Sequence, residues 1–268
     1  QDSNDVDFRV ESNGLTHALF VDAGNNHVNV GTSTDHGAVM NIESSDNALT
    51  LCLASTDTDA NVGPQLKLFR AVTGADNDVC GNIEFGAKDD AGNTEAYALI
   101  RQTILDASHG SEEGKLSFLN MEGGSQREVL TLAASEVVIN EDSRDVDFRV
   151  ETDGGTHTLF VDGTNNKVGV ATSSPSGTLH VKNTDNNSNL HLECTDADAN
   201  SGPLLTFDRN SASPADSDML TVIDIKGKND AGETVLYAEE YWQIEDVSDG
   251  TEDAQYIQTV ILNGTNRN

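Results

Sequence analysis

The chain repeats itself. Residues Asp5–Val30, "DVDFRVESNGLTHALFVDAGNNHVNV", reappear as Asp145–Val170, "DVDFRVETDGGTHTLFVDGTNNKVGV", so that Asp5 meets Asp145 at an offset of 140. The same offset aligns Phe8 with Phe148, His17 with His157 and Phe20 with Phe160. After a one-residue gap, "STDTDANVGP" (Ser55–Pro64) meets "CTDADANSGP" (Cys194–Pro203). The offset of 140 returns where "KDDAGNT" (Lys88–Thr94) meets "KNDAGET" (Lys228–Thr234). A long internal period constrains a fold more than any local signal, because each copy must solve the same packing problem. Nothing in the second copy matches "EVLTLAASEVVIN" (Glu128–Asn140), and the chain starts at Gln1. Both features read as those of a fragment or a cleaved product of a longer protein.

Within each copy the pattern is that of strands. Val6, Phe8 and Val10 alternate with Asp7 and Arg9, the period-two signature of a sheet with one wet face. Asn13-Gly14 and Asp153-Gly154 then suit the positive φ of a tight hairpin turn. "THALFVD" and "THTLFVD" predict a second strand, Asn25-Asn26 and Asn165-Asn166 another turn, and "HVNVGT" and "KVGVAT" a third strand. Apolar alternation continues at "LTLCLA" (Leu49–Ala54), "QLKLFRA" (Gln65–Ala71), "NIEFGA" (Asn82–Ala87), "AYALIRQTIL" (Ala96–Leu105), "KLSFLNM" (Lys115–Met121) and "VLTLAA" (Val129–Ala134), with "DDAGN" as a hairpin turn. No stretch has helical periodicity. The expectation is an all-β chain: a three-stranded β-meander followed by an antiparallel β-sandwich or roll module, twice over. The boundaries are 1–40 (meander), 41–140 (sandwich), 141–181 (meander) and 182–268 (shortened sandwich).

A short meander is marginal alone, since ordering its backbone opposes the burial of only a few apolar side chains. It therefore needs sister chains or the adjoining module to complete its core. Copies along one chain and association between chains define a fibre, and a closed three-fold ring is a natural solution. Phe8, His17, Phe20, Phe148, His157 and Phe160 are the expected residues of such an inter-chain seam.

Composition narrows the partners. Among 268 residues, 46 are acidic and 15 basic, a net charge of −31. Nucleic acid binding needs basic patches, so no nucleic-acid partner is expected. No run is long or apolar enough for membrane insertion as a helix, and no signal peptide is visible. Cys52, Cys80 and Cys194 form neither a disulfide framework nor a zinc motif.

"NNKVGVATSSPSGTLHV" (Asn165–Val181) resembles the "VGIGTxxPxxxLHV" phrase of bacteriophage tail-fibre and tailspike proteins. The match is carried by Val168, Gly169, Val170, Thr172, Pro175, Leu179, His180 and Val181, while Ala171 replaces the usual glycine. The first copy departs further: Asn29 replaces glycine, Asp35 replaces proline and "AVMNI" (Ala38–Ile42) replaces Leu-His-Val. The "DVDFRVES" phrases also resemble repeats in structural proteins of marine phages. The resemblance implies a homotrimeric, non-enzymatic segment of a viral fibre located on the virion, outside cells. Its partners would be itself, other virion proteins and a host surface glycan or protein. A repeat-built cell-surface adhesin or extracellular filament is the alternative reading, and a tailspike glycosidase with paired carboxylates the third.

Three local features are candidate sites. Asp57, Asp59 and Asn61, with Asp196, Asp198 and Asn200, alternate oxygen ligands before a glycine as calcium loops do, although the glycine falls one place late. An Asx-rich turn is the simpler reading, and no cofactor is expected. His17 and His157 have no nucleophile or base at a fixed spacing, so a packing role is expected. Tyr241 and Trp242 occur where the first copy has Arg101 and Gln102. An aromatic platform of that kind suits sugar stacking, with core filling or a subunit contact as the alternative.

Overall fold

A computed structural model describes residues 5–262 and 265–267, and shows an all-β chain whose sheets are mainly antiparallel. Two units divide at His180, residues 1–180 and 181–268, and each is described separately.

The first unit opens with β1 (Phe8–Ser12), β2 (Leu15–Asp22) and β3 (His27–Val30), joined as antiparallel neighbours. The expected three-stranded meander is thus present, but a fourth strand extends it. β4 (Met40–Ile42) pairs with β3 in parallel, because 31–39 loops back instead of turning as a hairpin. In the β1–β2 turn, Gly14 alone takes positive φ, at 95°. In the β2–β3 turn Asn26 takes it, at 58°, while Asp22 Oδ1 accepts the Asn25 amide at 3.1 Å. A short polar side chain tolerates that left-handed conformation better than most.

β5 (Val79–Lys88), β6 (Thr94–Asp106), β7 (Glu113–Glu122), β8 (Ser125–Leu132) and β9 (Val137–Ile139) form one five-stranded sheet in chain order. Asp89 builds the first hairpin: its Oδ1 accepts the Asn93 amide at 2.7 Å and the Ala91 amide at 2.9 Å. The unit ends in a second meander, β10 (Phe148–Thr152), β11 (Gly155–Asp162), β12 (Lys167–Val170) and β13 (Leu179–Val181), whose last residue crosses the unit boundary. In the second unit, β14 (Met219–Lys228), β15 (Thr234–Asp246), β16 (Asp253–Leu262) and β17 (Thr265–Arg267) form a four-stranded antiparallel sheet.

The expected strands Leu49–Ala54 and Gln65–Ala71 do not form in the chain. Residues 44–73 contain no strand, and every one of them is exposed. Among the described residues, none of 44–74 makes a backbone–backbone hydrogen bond. The same holds for 182–208, and every residue from 182 to 210 is exposed. Alternation alone does not make a strand, which needs a partner, and none of these segments has one within the chain. The sandwich expected of each module is accordingly one sheet with its second layer missing.

Gly31 and Ala171 occupy equivalent places after β3 and β12, with φ of 81° and 56°. A Cβ on Gly31 would sit 2.3 Å from the Glu43 carbonyl oxygen, whereas Ala171 already carries one. Gly31→Ala should therefore lower the stability by about 2 kcal/mol or more from clash and left-handed strain together, and the melting temperature with it. Ala171→Gly should raise the stability by up to about 1 kcal/mol, since relief of strain outweighs added unfolded-state entropy. Paired thermal melts of the two variants check the opposite signs.

Candidate functional site

The meanders separate apolar from polar residues by face. Cross-strand register places Phe8, Val21, Val28 and Met40 in one row and Val10, Leu19, Val30 and Ile42 in the next. Alternate residues share a face, so these eight apolar side chains lie together. The row between them, Arg9, Phe20, Asn29 and Asn41, belongs to the other face. The apolar face is open: Phe8 and Met40 are each 58% exposed. In the second meander, Phe148, Val161 and Val168, with Val150, Leu159 and Val170, repeat the arrangement. There the chain supplies some cover, for Ile139 and Val146 line a cleft with Phe148 and Val161.

The expected seam residues consequently divide. Phe8 and Phe148 belong to the open faces. Phe20 and Phe160 are buried within the chain, each meeting a histidine edge-on: His17 at 5.1 Å and His157 at 5.2 Å between ring centroids. Thr16 and Thr156 hydroxyls bond the same histidines at Nδ1, at 3.0 Å and 2.9 Å. These contacts are local packing, and they hold the strand that carries the open face.

The Asx-rich loops are turns. Asp59 Oδ1 accepts the Asn61 amide at 2.8 Å and Asp198 Oδ1 accepts the Asn200 amide at 2.9 Å. Asp57 and Asp196 accept the amides of Asp59 and Asp198 at 3.3 Å. Among the described residues, no group of three or more His, Cys, Asp or Glu side chains converges as metal ligands would. Turn chemistry accounts for these carboxylates.

Tyr241 and Trp242 point to opposite faces of the second-unit sheet, Tyr241 between Val222 and Ile257, Trp242 between Thr221 and Tyr256. Trp242 and Tyr256 lie 4.9 Å apart, tilted by 40°. Tyr256, 51% exposed, was not singled out in sequence, because only the β15–β16 register brings it beside Trp242. Glu240 adds a carboxylate there, bonded by Gln258 Nε2 at 3.1 Å. Desolvation, followed by the Glu240 charge, raises the Tyr256 phenol above its ordinary value. The result is a small amphipathic patch rather than an enclosed site.

Two further features escaped sequence reading. Asn41 Nδ2 donates to Asn29 Oδ1 at 2.7 Å, and Asn29 is fully buried with its own Nδ2 unpartnered. His27 meets Asp35 and His36 meets Glu43, both at 3.0 Å. The second copy has Lys167 and Pro175 where the first has His27 and Asp35, and there the lysine ammonium donates to the Pro175 carbonyl at 3.1 Å.

The extent of uncovered surface exceeds any local feature. The chain exposes 20237 Å². A compact monomer of 28.5 kDa exposes about 11,000 Å², and two separate compact units of these sizes about 13,000 Å². Among the described residues the buried large apolar side chains are Phe20, Leu99, Leu119 and Phe160. No protein-family model matches the chain, and no curated protein matches it significantly.

Asp162 shows how the meander depends on ionised carboxylates. Its oxygens accept the Asn165 amide at 2.8 Å and the Asn165 side chain at 2.9 Å, and these bonds hold it below the ordinary 3.8. A carboxyl depressed in the fold stabilises it fully above the unfolded value and loses that contribution as the pH falls through the folded one. Asp162→Asn should thus lower the melting temperature near neutrality, and the gap from wild type should close on acidification below pH 3.8. Trp242 is the sole tryptophan, so Tyr256→Ala, which strips the ring beside it, should red-shift its emission.

Proposed function

We propose that the chain is a non-enzymatic structural segment of a viral fibre or appendage, homotrimeric and borne outside cells on the virion. The observation that carries this reading is the uncovered apolar surface, repeated at equivalent places in both copies. Val10 and Val150, Leu51 and Leu190, Leu53 and Leu192, and Tyr97 and Tyr237 are all exposed in the single chain. One foreign partner would need one such surface; assembly with further copies of itself needs them in every repeat. The phage-like phrase at Asn165–Val181 supports a fibre and a trimer.

The function then follows from mechanics. Meanders and broader sheets alternate along the chain, and repeated weak contacts to a host surface glycan or protein add through effective concentration. The Trp242–Tyr256 patch is the ring-bearing surface best suited to stack on a sugar. Other virion proteins would anchor the segment.

Light scattering of the purified protein should give three times the chain mass of 28.5 kDa, unchanged by a calcium chelator. A stable monomer overturns the reading. Incubation with bacterial surface polysaccharide should release no new reducing ends; their appearance would favour a glycosidase instead.

A further inference from the structure

The segments 44–73 and 182–210 are the largest part of the chain that its own fold leaves unused. Their apolar residues alternate as a strand's do: Leu49, Leu51 and Leu53 are 79%, 58% and 49% exposed. Leu190 and Leu192 repeat Leu51 and Leu53 in the second copy, at 67% and 44%, while Ser188 stands in the place of Leu49. Farther on, Leu66 and Leu68 correspond to Leu205 and Phe207, all four exposed. A loop selected only to connect elements has no reason to keep this pattern in both copies, since a one-residue shift would erase it. The same modules end in open edges: β5 and β14 are the terminal strands of their sheets, with one row of backbone groups unpaired.

The chain does not bring the two together itself. Leu68 sits against the flat of β5 instead of its edge, its Cβ 3.1 Å from where a Cβ on Gly81 would be. Arg70 pins that approach, its guanidinium donating to the Val79 carbonyl at 3.4 Å and meeting Asp78 at 3.1 Å. Arg209 does the same for Met219 and Asp218, at 2.8 Å and 2.9 Å. Each segment is thus anchored at its end nearest the sheet while the leucine stretch before it remains uncovered.

We infer that the leucine segments, residues 49–54 and 188–193, become β-strands in trans, hydrogen-bonded to and covered by another copy of this chain. The occupant is a second copy for two reasons. The uncovered area, several thousand Å² above that of a compact chain, is of the size buried by obligate, intertwined subunits and well beyond a standard interface of about 1,600 Å². Moreover, each module holds both the unpaired segment and the unpaired edge, so copies of one chain satisfy both. The missing second layer of the module is then supplied by a neighbour. This inference rests on the reading of the chain as a multi-copy assembly and names the segments that make it.

Hydrogen–deuterium exchange of the full assembled protein tests it, read on peptides spanning 49–54 and 188–193. In a single chain these amides would exchange at the free-chain rate; paired in trans they should exchange at least about a hundredfold more slowly. In parallel, Leu51→Asp/Leu53→Asp should shift the light-scattering mass toward the single chain, though both side chains are exposed within one copy. A multi-copy assembly with free-chain exchange at both segments overturns the inference and leaves the assembly reading intact. A stable monomer overturns both, whatever its exchange rates. An assembly with slowed exchange supports it, and dissociation by the double variant adds the side-chain contact.

Discussion

Everything in this molecule depends on a shortage of cover. Sheets are stable when their apolar faces are buried against a second layer, and these sheets have one layer each. Eight apolar side chains lie on one face of the first meander, and the row with Phe20 and Asn29 lies on the other. The strands have definite register and turns, so the fold is specified locally. What the single chain lacks is the desolvation that makes such a sheet persist in water. The same deficit recurs in the segments 44–73 and 182–210, where even backbone pairing is absent.

Local specification comes mostly from carboxylates and amides. Asp22, Asp89, Asp162 and Asp246 each accept backbone amides in turns that follow a strand. Hydrogen bonds of this kind to an ionised acceptor are among the stronger ones available, and they set loop geometry without any apolar core. Part of the charge of −31 is therefore structural. The remainder sets copies of the chain against one another, a repulsion that salt screens over about 8–10 Å. Any association of copies would have to be driven by apolar contact strong enough to override it.

The strands that pair within the chain were legible because alternation and turn residues agree: Phe8–Ser12 ends at an Asn-Gly, and Val79–Lys88 ends at "DDAGN". Leu49–Ala54 has the same alternation and forms no strand, because pairing is a property of two segments and sequence displays only one. β4 and β13 escape sequence reading for the opposite reason: three residues are too few to show a period. At the candidate surfaces, Trp242 was visible as an anomaly between copies, whereas Tyr256 and Glu240 became its neighbours only through register. Phe8 and Phe20 fall on opposite faces because they lie on different strands, and only the register, Phe8 with Val21 and Arg9 with Phe20, decides the face.

A chain that carries the same meander twice would face a problem of specificity if several copies associated. Pairing the first module of one copy with the second module of another would give a staggered, open-ended chain of contacts rather than a closed one. The meanders cannot prevent this, since Phe8, Val10 and Val28 face partners nearly identical to Phe148, Val150 and Val168. The broader sheets differ more. Where the first has Leu99 opposite Leu119, the second has Glu239 opposite Thr259; where the first has Ile100 opposite Phe118, the second has Glu240 opposite Gln258. On the face of Ile100 and Phe118, where the first sheet also carries Ile83 and Leu130, the second thus presents a carboxylate and an amide, so the two faces differ in polarity. The two copies thus keep a similar plan of strand pairing and diverge in the side chains of their broader sheets.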